Sequence, residues 1–138
     1  MNIKELNIGN WLQMESDGLP VRVSQIEGGY LVMIRAESDS NRTAFYYSID
    51  KFAPIPLTPE ILEKNGFTQL EPSVNYDWWC IENKDKFLVG FGFGKEEGRT
   101  ATGWVFDTIG SCDYKRQIGV HELQNLLRLA GIEQEIKL

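Results

Sequence analysis

The sequence predicts an α+β fold that is mainly β. A small N-terminal SH3-like barrel is followed by a β-meander with two short helices. Three observations carry this. Four or five strand-like segments crowd the first 57 positions, joined by short polar turns. A glycine- and aromatic-rich stretch between Phe67 and Gln117 alternates with a period of two. The chain then closes on a segment whose apolar residues recur at helical spacing.

The elements follow in order. Trp11–Met14 is a candidate strand, and Ser16-Asp17-Gly18 supplies a turn in which glycine tolerates positive φ. In Pro20–Ile26, apolar Val21, Val23 and Ile26 alternate with polar Arg22 and Ser24, roughly as in a strand. Gly28-Gly29 is a hairpin signal leading to a strongly apolar strand at Tyr30–Ala36, and a polar loop precedes a further strand at Thr43–Ser48. Pro54, Pro56 and Pro59 then punctuate the chain. Thr58 is a good N-cap, Pro59 suits the first helical turn, Glu60 favours the positive end of the helix dipole, and Gly66 suits the C′ position. A short helix is therefore expected over 59–65, docked on a sheet by Ile61 and Leu62.

Beyond it, Tyr76–Ile81 is apolar on both faces, as in a central strand. Phe87, Val89, Phe91 and Phe93 share one face of the next strand, with Leu88, Gly90 and Gly92 on the other. Thr100–Asp107 returns as the third strand, and Gly110–Asp113 reads as a loop. Val120, Leu123, Leu127 and Ala130, with Leu126 beside them, define the final helix, with Gly131 at its end. Glu133–Leu138 is a candidate edge strand. Two lobes result, 1–57 and 58–138, expected to share one core because neither alone is comfortably large.

Composition narrows the function. At 138 residues, 42% apolar and 25% charged, the chain suits one globular domain and excludes disorder, collagen, a coiled coil and a disulfide scaffold. Its 14 basic and 20 acidic residues give a net charge of −6, which argues against direct nucleic-acid binding. The charge is scattered: residues 1–57 carry 5 − 7 = −2 and residues 58–138 carry 9 − 13 = −4. The longest apolar run, Tyr30–Ile34, is far short of a bilayer span, and no signal-peptide core is visible, so a cytoplasmic location without membrane attachment is expected. Cys80 and Cys112 are too far apart in sequence for a CxxC pair and are expected to be small buried hydrophobes.

The chemical candidates are weak. Gly90-Phe91-Gly92-Phe93-Gly94-Lys95 resembles a phosphate loop, but Val89 stands where the first glycine belongs and Glu96 where the hydroxyl belongs. A dinucleotide fingerprint would need its third glycine at position 97, where this chain has Glu97. Glycines facing Trp78, Trp79 or Trp104 across a sheet explain the pattern better. His121-Glu122 begins like a zinc-protease motif, but the second histidine's place is taken by Asn125, and the chain has only one histidine. His121 is read as a helix-terminal residue satisfied by a backbone group, and neither a metal nor a cofactor is assigned. A site combining His121 with a cysteine and carboxylates has no local spacing to support it. A Cys112–His121 nucleophile pair is disfavoured because Asp113 beside the thiol would raise its pKa.

One feature is unusual. Trp78, Trp79, Phe87, Phe91, Phe93, Trp104 and Phe106 are concentrated in one meander. They fill a core or form a partly exposed binding surface, and Trp78, Trp79, Phe91, Phe93 and Trp104 are the candidate residues for such a surface.

Three stretches carry a resemblance: Leu6-Asn7-Ile8-Gly9-Asn10-Trp11, Pro54 through Phe67, and Val120-His121-Glu122-Leu123-Gln124-Asn125-Leu126. Together they resemble a family of short uncharacterised proteins of gut anaerobes, often found among prophage and mobile-element genes. Leu127 stands where that family typically has an aromatic residue, and Ala130 where it has a polar one. The resemblance implies a phage or mobile-element origin and no particular activity. The expected function is a non-catalytic protein-interaction or ligand-binding module whose partner is another protein, with self-association also compatible. The alternatives are an acidic nucleic-acid mimic that blocks a DNA-binding host protein and, last, a small hydrolase using Cys112 and His121.

Overall fold

A computed structural model describes residues 3–28, 33–37, 44–70, 76–82, 88–94, 102–105, 110–113 and 118–138. The fold is mixed α and β, strand-rich, with two helices and two antiparallel five-stranded sheets, neither closed into a barrel among the described residues. The chain divides into two compact units. One contains Met1–Ile55 and Gly119–Glu122, the other Pro56–Ile118 and Leu123–Leu138.

In the first unit, the strands are β1 (Trp11–Met14), β2 (Pro20–Glu27), β3 (Met33–Glu37), β4 (Ala44–Ser48) and β5 (Phe52–Pro54). Their order across the sheet is β4-β3-β2-β1-β5. The proline-punctuated stretch thus begins with a strand, β5, entered through a 3-10 turn at Ile49–Lys51. Pro54 hid it from a sequence reading, because proline suits a strand only at a sheet edge, and β5 is an edge strand. Leu6, Leu12, Val21, Val23 and Phe52 form the core of this unit, with Met14, Leu19, Ile26 and Ile49 packed around them. Ahead of β1, Gly9 adopts φ 87°, and the N–H of Asn7 donates to Oδ1 of Asn10 at 2.6 Å. The buried Asn10 side chain thereby closes the turn that delivers Trp11 to the sheet. There Trp11 is covered by the Arg22 guanidinium, 4.4 Å from the ring centroid.

The second unit holds α1 (Pro59–Lys64), β6 (Thr68–Gln69), β7 (Tyr76–Glu82), β8 (Leu88–Gly94), β9 (Thr102–Val105) and β10 (Gly110–Asp113). The sheet order is β10-β9-β8-β7-β6. Gly110–Asp113 is therefore a strand paired with β9, not a loop; its cross-strand partners supply hydrogen bonds that no local composition announces.

Helix α1 starts as its residues dictate. The Thr58 hydroxyl accepts from the N–H of Ile61 at 3.4 Å, and Pro59 opens the helix. The N–H of Glu60 itself and the Thr58 hydroxyl hold the Glu60 carboxyl below the usual carboxylate range. The helix ends in a Schellman motif: Gly66, at φ 82°, donates to the Glu63 carbonyl and Phe67 to the Leu62 carbonyl. Leu62 and Phe67 are both buried, as the hydrophobic contact of that motif requires. Because the cap bond is long, Thr58→Ala is expected to lower stability by only about 0.5–1 kcal/mol, read as a shift in the urea midpoint.

Helix α2 (Val120–Leu129) buries Val120, Leu123, Leu126 and Leu127, and Ala130 just beyond its end is buried with them. It closes in the same way: Gly131 at φ 69° donates to Arg128, and Ile132 donates to Leu127. Glu133–Leu138 forms no strand. Instead the Asn65 side chain takes the place of a neighbouring strand. Its Nδ2 donates to the Lys137 carbonyl at 2.8 Å, and its Oδ1 accepts from the Lys137 N–H at 2.8 Å. Among the described residues, no helix is long and apolar enough to cross a membrane.

Candidate functional site

Two places gather the candidate side chains, one in each unit.

The first lies at the start of α2. Glu122 sits in the first helical turn and reaches back, its Oε2 accepting from the Gly119 N–H at 2.8 Å. This is the return half of a capping box, and it satisfies a backbone donor that a helix start leaves open. The Val120 N–H donates outward to the Ile55 carbonyl, which ties the start of α2 to the chain just after β5. His121 is turned inward and is 1% exposed, with both ring nitrogens buried. Its ring lies against the α-carbon of Gly119, where an added Cβ would come within 2.6 Å of Nδ1 and Cε1. Glycine is the residue that leaves room for the imidazole.

The 3-10 turn Ile3–Glu5 brings Glu5 to the same point. One ligating atom from each of Glu5, His121 and Glu122 lies within 4.8 Å of the others. Glu122 is 7% exposed and Glu5 half-buried. Two carboxylates around an imidazole make an electronegative pocket, and burying such a charge is costly unless a proton or a cation balances it. Sequence reasoning found His121 and Glu122 but missed Glu5, because nothing near Glu5 in the chain signals a partner at the far end.

The second place is the β7–β8–β9 sheet. In the register, Trp79 is opposite Phe91, Asp77 opposite Phe93 and Ile81 opposite Val89, so Trp79, Phe91 and Phe93 share one sheet face. Trp79 is 8% exposed, and its indole N–H has no acceptor among the described residues. Ile81, on this same face, has its Cδ1 4.0 Å from where a Cβ on Gly66 would lie, so the α1 end covers this face. The opposite face carries Trp78 opposite Gly92 and Trp104 opposite Gly90. By register position the five aromatic candidates are therefore divided: Trp79, Phe91 and Phe93 belong to one sheet face, Trp78 and Trp104 to the other. Trp78 is half-buried, and beside it on the same strand face is Cys80, also half-buried. Glycines opposite tryptophans are the arrangement that the glycine-rich stretch suggested. The turn at 95–100 that would complete a phosphate loop lies outside the described residues, as do Phe87 and Phe106.

The chain matches no protein family, no curated protein and no solved structure at a significant level.

Proposed function

We propose that this protein is a non-catalytic binding module that takes an extended, Lys- or Arg-bearing peptide segment of a protein partner on the sheet face of Trp78 and Trp104. The observation that carries this reading is the placement of Gly90 and Gly92 on the strand between them. A strand whose positions 90, 92 and 94 on one face are all glycine lies between two tryptophan-bearing strands about 10 Å apart, twice the usual strand spacing. That spacing suits one extended chain, and tryptophan is the best aromatic partner for a cationic side chain. The net charge of −6 favours a basic partner, and the register adds Asp113 to this face, across β9 from Trp78 and Gly92. The face toward α1, with the buried Trp79, serves the core of its unit.

We extend the proposal to the first unit, which reads best as an SH3-like barrel. Its support is the strand order β4-β3-β2-β1-β5 and the 3-10 turn that precedes β5. A phage or mobile-element origin rests on the resemblance of the three quoted stretches.

The test is a screen of 12-residue peptides of graded charge against the full chain. Binding is expected to concentrate in peptides rich in Lys and Arg and to weaken at least tenfold, about 1.4 kcal/mol, in Trp78→Ala with its circular dichroism unchanged. Equal binding by acidic and basic peptides, or unchanged affinity in the variant, would sink the reading.

A further inference from the structure

We propose that Glu5, His121 and Glu122 form a binding site for a single divalent transition-metal ion, of which Zn²⁺ is the best-fitting example. The site is independent of the tryptophan-bearing sheet face and belongs wholly to the first unit.

Four observations converge on it. First, the three donors come together from two remote segments, each contributing a ligating atom within 4.8 Å of the others. Donors bound to zinc at about 2.0–2.1 Å in tetrahedral geometry stand ~3.4 Å apart. Binding thus asks for a closure of at most ~1.4 Å. Glu5 is the ligand placed to make it, being half-buried on a three-residue turn. Second, the imidazole is 1% exposed and held against Gly119, so it is oriented before any ion arrives. Third, the Glu122 carboxylate already accepts the Gly119 N–H through Oε2, a hydrogen bond of the kind that fixes a ligating carboxylate in place. Fourth, the charges balance: two carboxylates and a neutral imidazole carry −2, and one divalent ion brings the buried group to zero.

The donor set selects the ion. Imidazole nitrogen favours zinc and its transition-metal neighbours over magnesium, and carboxylates complete the set without a thiolate. Three protein ligands leave a fourth position for water. The ion would also clip the 3-10 turn Ile3–Glu5 to the start of α2.

The competing occupant of the same pocket is a proton, giving an imidazolium between two carboxylates. One experiment separates the two. The full chain is stripped with chelator and titrated calorimetrically with ZnCl₂ at neutral pH, with MgCl₂ as control, and Co²⁺ is added for its visible ligand-field bands. The expected result is one equivalent of Zn²⁺ bound at micromolar affinity or tighter, no Mg²⁺ binding, and Co²⁺ bands that vanish on adding Zn²⁺. Glu5→Gln, nearly isosteric and at a half-buried position, is expected to weaken Zn²⁺ binding at least tenfold with the fold unchanged by circular dichroism. His121→Asn is expected to abolish it. If His121→Asn does not fold, Glu5→Gln alone decides. Absence of saturable Zn²⁺ binding, or unchanged affinity in Glu5→Gln, overturns the proposal.

Discussion

Replacing Asn65 with alanine is expected to lower the unfolding free energy by about 2–3 kcal/mol, from three lost hydrogen bonds at ~1 kcal/mol each. Asn65 is 7% exposed, and its side chain joins three backbone groups. Nδ2 donates to the Ile61 carbonyl at 2.7 Å and to the Lys137 carbonyl at 2.8 Å, while Oδ1 accepts from the Lys137 N–H at 2.8 Å. The same residue's carbonyl accepts from Gln134 Nε2 at 3.0 Å, and the adjacent Lys64 donates to the Leu138 carbonyl at 2.9 Å. These bonds hold down a C-terminal segment that has no ladder of its own, and they keep Ile136 buried. Water can reach the exposed Lys137 backbone once the amide is gone, which keeps the loss from growing larger. The check is urea unfolding combined with limited proteolysis. Asn65→Ala should be cleaved within 132–138 well before the parent chain. Asn65→Asp keeps the acceptor but sets a carboxylate oxygen against the Ile61 and Lys137 carbonyls, so it should lose at least as much stability as Asn65→Ala. A loss below about 0.5 kcal/mol would mean that Ile136 alone anchors the segment.

Gly119→Ala is expected to cost about 2 kcal/mol, in the range for forcing extra atoms into a packed site. The new methyl would lie 2.6 Å from two atoms of the His121 ring and 3.0 Å from Cβ of Pro54. A surface side chain would swing aside, but His121 is 1% exposed and has nowhere to go without moving the start of α2. For a chain of this length the loss corresponds to ~6 °C in the melting temperature. The second expected result is a weakening of Zn²⁺ binding, because the imidazole is displaced from its carboxylate neighbours. Gly131→Ala is a useful contrast. Gly131 has φ 69° and open space around the position of a Cβ, so the variant tests backbone strain without a clash and should leave the metal affinity alone.

Much of the fold was legible because it is local. Thr58, Pro59 and Gly66 bracket α1, and the spacing of Val120, Leu123 and Leu127 marks α2; in both helices the signals act within a few residues of where they appear. Strand β5 and strand β10 were missed because each is short and takes its hydrogen bonds from another strand, the remote β1 for β5 and the nearby β9 for β10, so its own composition need not favour a strand. The aromatic residues were visible as a cluster but not as two faces. A period-two pattern tells which residues of one strand go together, whereas sorting residues of different strands needs the register. Alternation along β7 separates Trp78 from Trp79, but only the pairings through Gly92 and Gly90 put Trp104 on the face of Trp78.

By itself, then, the sequence determined the strand-rich class, the ends of both helices, the acidic charge and the density of tryptophan and glycine in one meander. These depend on backbone preferences and periodicities that act over a few residues. The tertiary structure alone decided that Glu5 meets His121 and Glu122, that Asn65 pins the C-terminal segment, and how the aromatic positions of different strands divide between the two sheet faces. Each is a contact between residues far apart in the chain. Such contacts form when the whole fold buries its apolar surface, and no local signal encodes them.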